Sequence, residues 1–344
     1  MNVQIINPLQ ISNWDDLVLA TGKASFFHSS AWARVLRESY GYKPLYFISF
    51  EDGRLSLLIP FMEISTWITG KRAVSLPFTD FCDSIAPDTK CFQDAVEQIK
   101  EYGRKKNWKT VEWRGNRRYF TEEAPSSSSY SHTLQLSGPE DQIFSRFKSN
   151  TRRNINKAVK EGVRVEIGDT LGSVKSYYRL HCITRRDHGL PPQPFAFFKK
   201  IHENVIAAGN GFNVLAFLKN LCVAGAVYLD FGKTAIYKFG ASNKKYQHLR
   251  PNNLVMWEAI RECVKRGFRT LSFGRTETDN EGLLQFKRGW NPEEEQVNYY
   301  KYDLNKNSFL DESMGVKGFY NRIFGMTPIP VLRFVGSAIY KHLG

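Results

Sequence analysis

The positively charged residues best placed for chemistry lie near the C-terminal end, in the segment from Phe273 to Trp290. Arg269–Phe273 alternates apolar and polar residues and reads as a short strand. It breaks at Gly274, and Arg275 and Thr276 leave its carboxyl end. Ligands of open α/β sheets bind outside the carboxyl ends of strands. A polar, glycine-punctuated loop then returns to Phe286 and Lys287, a cation beside an aromatic ring. A second set of charges lies on a helix expected to start near Glu140. From Arg146 to Lys160 it is dense in Arg and Lys and has no acidic residue. Phe144, Phe147, Ile155, Ala158 and Val159 give it a partial apolar face, while Arg152, Arg153, Asn156 and Lys160 fall largely on another. Arginine grips phosphate with two donors at once, so this face suits a phosphate-bearing ligand.

Other chemistries lack their residues. No Gly-x-Ser-x-Gly elbow, Walker loop or His-Glu-x-x-His is present, and no metal-ligand set can be assembled from spacing. His181 and His188, around the end of a helix over 177–188, are the candidate titrating groups. No helix-turn-helix, zinc finger or RNA-recognition signature accompanies the charge, so DNA is not an expected partner.

The elements that position these residues occur twice. Lys105–Trp113 aligns without a gap with Lys265–Phe273, 160 residues later, basic on basic and aromatic on aromatic, with Thr110 on Thr270. Each copy closes an amphipathic helix, over 92–104 and 253–264, and opens a strand. Each half also has a hairpin upstream. The first joins 45–50 to 55–62 through Asp52-Gly53, and the second joins 213–218 to 222–231 through Lys219-Asn220. The expected class is α/β with mixed sheets, built as two domains related by duplication. A Ser-rich stretch over 122–130 lies inside the first half, and a closing strand over 130–136 ends at Ser137-Gly138-Pro139. The domains are therefore read as 1–138 and 139–302, with a tail over 303–344.

The chain has 344 residues, 42% of them hydrophobic and 14% aromatic, enough for two sizeable cores. Its net charge of +14 favours anionic partners: phosphates, nucleic acid or an acidic membrane surface. Five scattered cysteines without Cys-x-x-Cys read as reduced structural thiols of a cytoplasmic protein. No signal peptide is visible, and no apolar run is long enough to span a bilayer.

The chain resembles the Fem family of tandem GNAT-fold transferases, which build peptidoglycan interpeptide bridges, and more strongly the FemAB-like or BioF-like acyltransferases. The resemblance runs from about residue 26 to about 302. It is carried by Phe27–Trp32, Leu76–Asp80, Arg152–Ala158, Pro251–Trp257, Phe273–Thr276 and Phe286-Lys287. It implies two GNAT-like domains and aminoacyl transfer from charged tRNA to an amine of a nucleotide- or lipid-linked muropeptide. It also assigns roles. Lys287 would stabilise negative charge at the scissile ester from a groove, where it would add little to the core. Asp80 would act as base or orient the amine. Arg152 and Arg153 would hold the acceptor's phosphates, and Arg275 the groove or the donor. Phe286, Trp32 and Asn252 are further substrate-binding candidates.

Two departures bear on the donor. The Gly-rich pyrophosphate loop of acetyl-CoA enzymes is replaced by Lys244–Asn253, which has no glycine. No sustained heptads mark a coiled-coil arm for tRNA. The donor is thus either aminoacyl-tRNA or acyl-CoA, used as co-substrate with no tightly bound cofactor. With acyl-CoA the product would be an exopolysaccharide or another envelope glycan. A non-enzymatic RNA- or membrane-binding adaptor is the third reading. The tail over 325–344 mixes apolar residues with Arg333, Lys341 and His342. It packs on the first domain or lies on an anionic membrane, which would make the protein peripheral at its inner face.

Overall fold

The computed structural model describes residues 2–312 and 320–344. In chain order the first elements are β1 (Gln4–Ile6), α1 (Trp14–Leu19), α2 (Ser30–Tyr40), β2 (Lys43–Glu51), β3 (Arg54–Thr66), β4 (Gly70–Val74), α3 (Thr89–Lys105), β5 (Thr110–Arg114) and β6 (Ser127–Gln135). Next come α4 (Glu140–Arg146), α5 (Ser149–Lys160), β7 (Val163–Gly168), α6 (Leu171–Asp187), α7 (Phe195–Ile201), β8 (Gly211–Leu218), β9 (Leu221–Phe231) and β10 (Thr234–Ser242). The last are α8 (Pro251–Lys265), β11 (Thr270–Glu277), α9 (Glu281–Arg288), β12 (Glu293–Asp303), β13 (Ser308–Phe309), α10 (Tyr320–Met326) and α11 (Ile329–Leu343).

Two compact units result. The first is Met1–Tyr130 with Gln296–Val316 and Tyr340–Gly344; the second is Ser131–Glu295 with Lys317–Ile339. The division falls inside β6 and β12, not in the Ser137-Gly138-Pro139 stretch, because a paired strand can serve two cores along its length. Strands of the first unit run β1-β2-β3-β4-β5-β12, antiparallel except for β4 with β5. Those of the second run β6-β11-β10-β9-β8-β7, with β10 and β11 parallel. Phe61, Phe92, Ile99, Trp113 and Tyr300 centre one core; Phe147, Tyr228, Met256, Phe273 and Trp290 centre the other.

The repeat is a repeat of local geometry. After α3 and α8 the chain turns through left-handed Asn107 (φ 57°) and Gly267 (φ 74°). Trp108 N then donates to Gly103 O, and Phe268 N to Cys263 O, at 2.9 and 3.0 Å. The parallel pairs are equivalent too: Ala73 faces Val111 in the first unit and Ala235 faces Leu271 in the second. Both hairpins form where the sequence puts them.

Three local expectations change. The basic helix is two helices, because Phe147 is extended (φ −70°, ψ 149°) and buries its ring on Trp257 and Trp290. β11 does not end at Gly274 but runs to Glu277. The loop before Lys287 contains α9, whose first turn is capped by the Asn280 side chain accepting from Leu283 N. In the tail, Tyr340–Gly344 belongs to the first unit. Arg72 donates to the carbonyls of His342 (2.8 Å) and Gly344, and Tyr42 to that of Lys341 (3.1 Å), so the last turn's open carbonyls are met.

Buried histidines tie stability to pH. His28 Nδ1 accepts from Ser25 N (3.0 Å), so Nε2 carries the hydrogen and donates to Asp83 O (2.9 Å). Burial lowers its pKa from 6.5 to about 4, against the opposing pull of the bond to Asp83 O. The unfolded chain therefore binds a proton that the folded chain refuses. Stability is intact above the unfolded value and falls as pH drops from 6.5 towards 4, by roughly 3 kcal/mol for this one group. Urea melts across that window will show this loss, and His28→Asn will flatten it; equal slopes for the two proteins would refute the assignment.

Candidate functional site

In the second unit, β10 and β11 pair only over Thr234–Ile236 and Thr270–Ser272. Beyond that both strands continue without pairing to each other. β10 stays with β9 through a bulge between Tyr237 and Phe239, while β11 lies beside β6. The parting point is where Gly274 adopts φ +68°. Successive carbonyls of a regular strand point to opposite edges. The left-handed glycine breaks that alternation, and the carbonyls of Gly274 and Arg275 converge on one donor. That donor is Lys287, whose Nζ lies 3.0 and 3.1 Å from them. Lys287 is only 2% exposed. It is a buried ammonium on a helix, not a groove lysine on a loop, and its loss would cost stability.

A histidine that sequence reasoning missed stands beside it. His132 on β6 has a fully buried side chain, and its Nε2 lies 2.8 Å from Glu294 Oε2. Glu294 on β12 is in turn held by two nitrogens of Arg288 on α9, at 2.6 and 2.8 Å. With Nε2 donating to the carboxylate, Nδ1 is left as the lone-pair atom. It finds no hydrogen-bond partner among the described residues. Burial first, and the Lys287 charge second, push the His132 pKa below 6.5, opposed by Glu294. The imidazole is thus neutral and remains a base below its ordinary range. Thr276 Oγ1 and Trp290 Nε1, on β11 and just after α9, are also buried without a partner among the described residues. His132 lies in an alternating strand far from the basic motifs, so no local pattern marks it.

The remaining candidates of this unit sit on neighbouring elements. Lys148 N donates to Gly289 O (3.0 Å), fixing the start of α5 against the end of α9. Arg152 is half-buried, and its Nε finds no partner among the described residues; Arg153 is exposed. Arg275 pairs with Glu277 at 2.9 Å. Phe286 packs edge-on against Trp290. Asn252, at the start of α8, donates to Ser242 Oγ at the end of β10 (3.2 Å). The segment before α8 is a 3-10 turn over Lys244–Leu249, closed by Arg250 in the left-handed region (φ 60°). Arginine there makes the turn that a glycine would make, but the backbone N–H groups are engaged. Those of Lys245, Tyr246, Arg250 and Asn253 all donate to acceptors within the segment, and Pro251 has none.

In the first unit the corresponding place, after β4 and β5, is the loop from Ser75 to Asp80. Leu76 (φ 62°) and Phe78 (φ 59°) are both left-handed without being glycine, a strain that the surroundings must hold. Arg114, paired with Glu112 at 2.6 Å, donates to Leu76 O (3.4 Å). Tyr299 donates to the carbonyls of Thr79 (3.3 Å) and Asp80 (2.5 Å). Trp32 is completely buried and donates to Thr79 Oγ1 at 3.0 Å, so it anchors this loop rather than facing a ligand. Trp32 and Asp80 thus belong to one constellation, and Lys287, Arg275 and Arg152 to another.

Residues 145–288 match the acetyltransferase (GNAT) domain family. The whole fold is similar to the crystal structure of FemX, with a TM-score of 0.67 at 13% identity, covering 89% of this chain and 98% of that one. It is also similar to a tandem GNAT protein from the clavulanic acid biosynthesis pathway, with a TM-score of 0.55 at 9% identity, covering 88% and 98%. Residues 145–288 thus carry the match to the GNAT domain, and the chain as a whole shares the fold of tandem GNAT proteins. In sequence, 94 residues are 27% identical to the lipid II:glycine glycyltransferase of Staphylococcus saprophyticus subsp. saprophyticus. That match spans 25% of this chain and 23% of the relative, about a quarter of each.

Two measurements check this geometry. Lys287→Met leaves the buried Gly274 carbonyl and the part-buried Arg275 carbonyl without their donor and will lower the stability measured by urea unfolding, by about 1–3 kcal/mol for the buried one; unchanged stability would show that the ammonium is not held there. His132 will titrate below 6.5 by NMR, and Glu294→Gln will move it lower still, because the carboxylate is what raises it. An upward shift in that variant would contradict the pairing.

Proposed function

We propose that the protein transfers an aminoacyl group from charged tRNA to an amine of a nucleotide- or lipid-linked muropeptide. The observation that carries this reading is the buried ammonium of Lys287 at the point where β11 leaves β10. A fixed positive charge in a low-dielectric site stabilises a developing oxyanion without reorganising. The acceptor nitrogen attacks the ester carbonyl carbon and forms the C–N bond. The tetrahedral oxyanion forms close to Lys287. The amine's surplus proton passes to His132 Nδ1, and the bond to the ribose oxygen breaks as that oxygen takes the proton. Arg152 and Arg153 bind the acceptor's phosphates. The name of the staphylococcal relative supports a lipid-linked acceptor.

The same fold also serves acyl-CoA donors, and the second reading is acyl transfer to an envelope glycan. The segment before α8 favours tRNA over CoA. Pyrophosphate is held by free backbone N–H groups at a helix start, and here Pro251 has none, Asn253 N donates to Arg250 O, and Lys245, Tyr246 and Arg250 ahead of the helix donate locally.

The test is transfer of a labelled amino acid from charged tRNA to a nucleotide-linked muropeptide by the purified protein. Label will reach the amine, and Lys287→Met will lower kcat by about 10²–10³-fold. His132→Gln will remove the acidic limb of the kcat/KM profile. Transfer from acetyl-CoA with none from charged tRNA would overturn the reading in favour of the second.

A further inference from the structure

The outer face of the two C-terminal helices has no role in the chemistry above. α11 lies with Leu332 and Gly336 buried, Gly336 so close to Pro192 that a Cβ would collide with the Pro192 carbonyl. The opposite side carries Val331 and Phe334, and α10 carries Ile323 and Met326, all exposed. Phe334 is 77% and Met326 83% exposed, far more than scattered surface apolar residues need explain. Between Phe334 and the start of α7 opens a pocket of about 390 Å³, with Tyr178, Phe195 and Pro330 as walls and Arg333 and Ser337 among its lining. The Arg333 guanidinium lies 5.5 Å over the Tyr178 ring. From Tyr320 to Gly344 the sequence has Arg322, Arg333 and Lys341 and no acidic residue. Among the described residues no helix is long and apolar enough to cross a membrane.

Exposed aliphatic and aromatic side chains flanked by cations alone fit one surface, the interface of an anionic bilayer. A protein partner would need acidic groups matched to each cation, whereas a bilayer supplies phosphates at any spacing. We propose that the outer face of α10 and α11 docks on an anionic phospholipid bilayer. Met326, Val331 and Phe334 enter the interface, and Arg333 meets headgroup phosphates. The docking stands apart from the transfer reading and does not depend on its donor or acceptor.

The experiment is co-sedimentation of the full chain with vesicles of phosphatidylcholine alone and of equal parts phosphatidylcholine and phosphatidylglycerol. Binding to the mixed vesicles will be at least about tenfold tighter. Phe334→Asp with Met326→Asp will lower it at least about tenfold. Arg333→Glu will weaken only the phosphatidylglycerol-dependent part. These side chains are exposed, so the thermal midpoint will be unchanged, and transfer to a soluble nucleotide-linked acceptor will persist in the Phe334→Asp/Met326→Asp variant. Binding to anionic vesicles that survives this double variant would overturn the proposal, since the net charge alone would then explain it. So would dissociation of a dimer by the same variant, which would assign the face to a second copy.

Discussion

A charged amine cannot stay buried without acceptors, and the second unit is organised around meeting that demand for Lys287. The acceptors are two successive carbonyls of one strand, which regular β geometry would point apart. Gly274 resolves this by adopting φ +68°, and it is free to do so because β11 has already left β10. The bulge in β10 produces that parting, and the Asn280 cap starts the helix that delivers the ammonium. Arg288, the next residue, extends the same arrangement to Glu294 and His132. A cation, a carboxylate and a neutral imidazole are therefore fixed on three elements by hydrogen bonds that depend on one another.

Duplication supplied the frame, and the two copies diverged in what they place at its opening. Each unit ends a parallel strand pair after a few residues and follows it with strained or left-handed backbone. In the first unit that backbone is Leu76 and Phe78, held by Trp32, Arg114 and Tyr299. The offset that aligns Leu271 with Val111 also aligns Gly274 with Arg114. Where the second unit uses glycine to gather carbonyls for a lysine, the first has an arginine paired with Glu112. Burial alone would raise the Glu112 carboxyl, but the Arg114 charge beside it outweighs that and holds it low. One scaffold position thus carries a glycine whose carbonyl holds Lys287 in one copy and an arginine in a structural ion pair in the other.

Much of this was legible in the sequence where the signal is local. The nine-residue repeat, the two hairpin turns and the amphipathic helices depend on spacing and turn chemistry, and each formed. The Phe286-Lys287 pair and the strand before Gly274 lie where the buried Lys287 meets the carbonyls of Gly274 and Arg275. The helix α9 was missed because Gly282 and the polar run before it resemble a loop, although Asn280 ahead of Leu283-Leu284 was a readable cap. The break between α4 and α5 was hidden because the apolar face runs through it. Only the packing of Phe147 under two tryptophans shows why the chain must extend there.

By itself the sequence determined the class of fold, the duplication and the kinds of charge available, because these follow from periodicity, turn residues and composition along the chain. Which charges meet was decided only in three dimensions. Lys287 and Glu294 lie close together in the chain, but His132 is 162 residues before Glu294 and becomes their neighbour through sheet order. The burial that makes Lys287 a fixed charge and His132 a neutral base is a property of the packed core, and no short window of residues contains it.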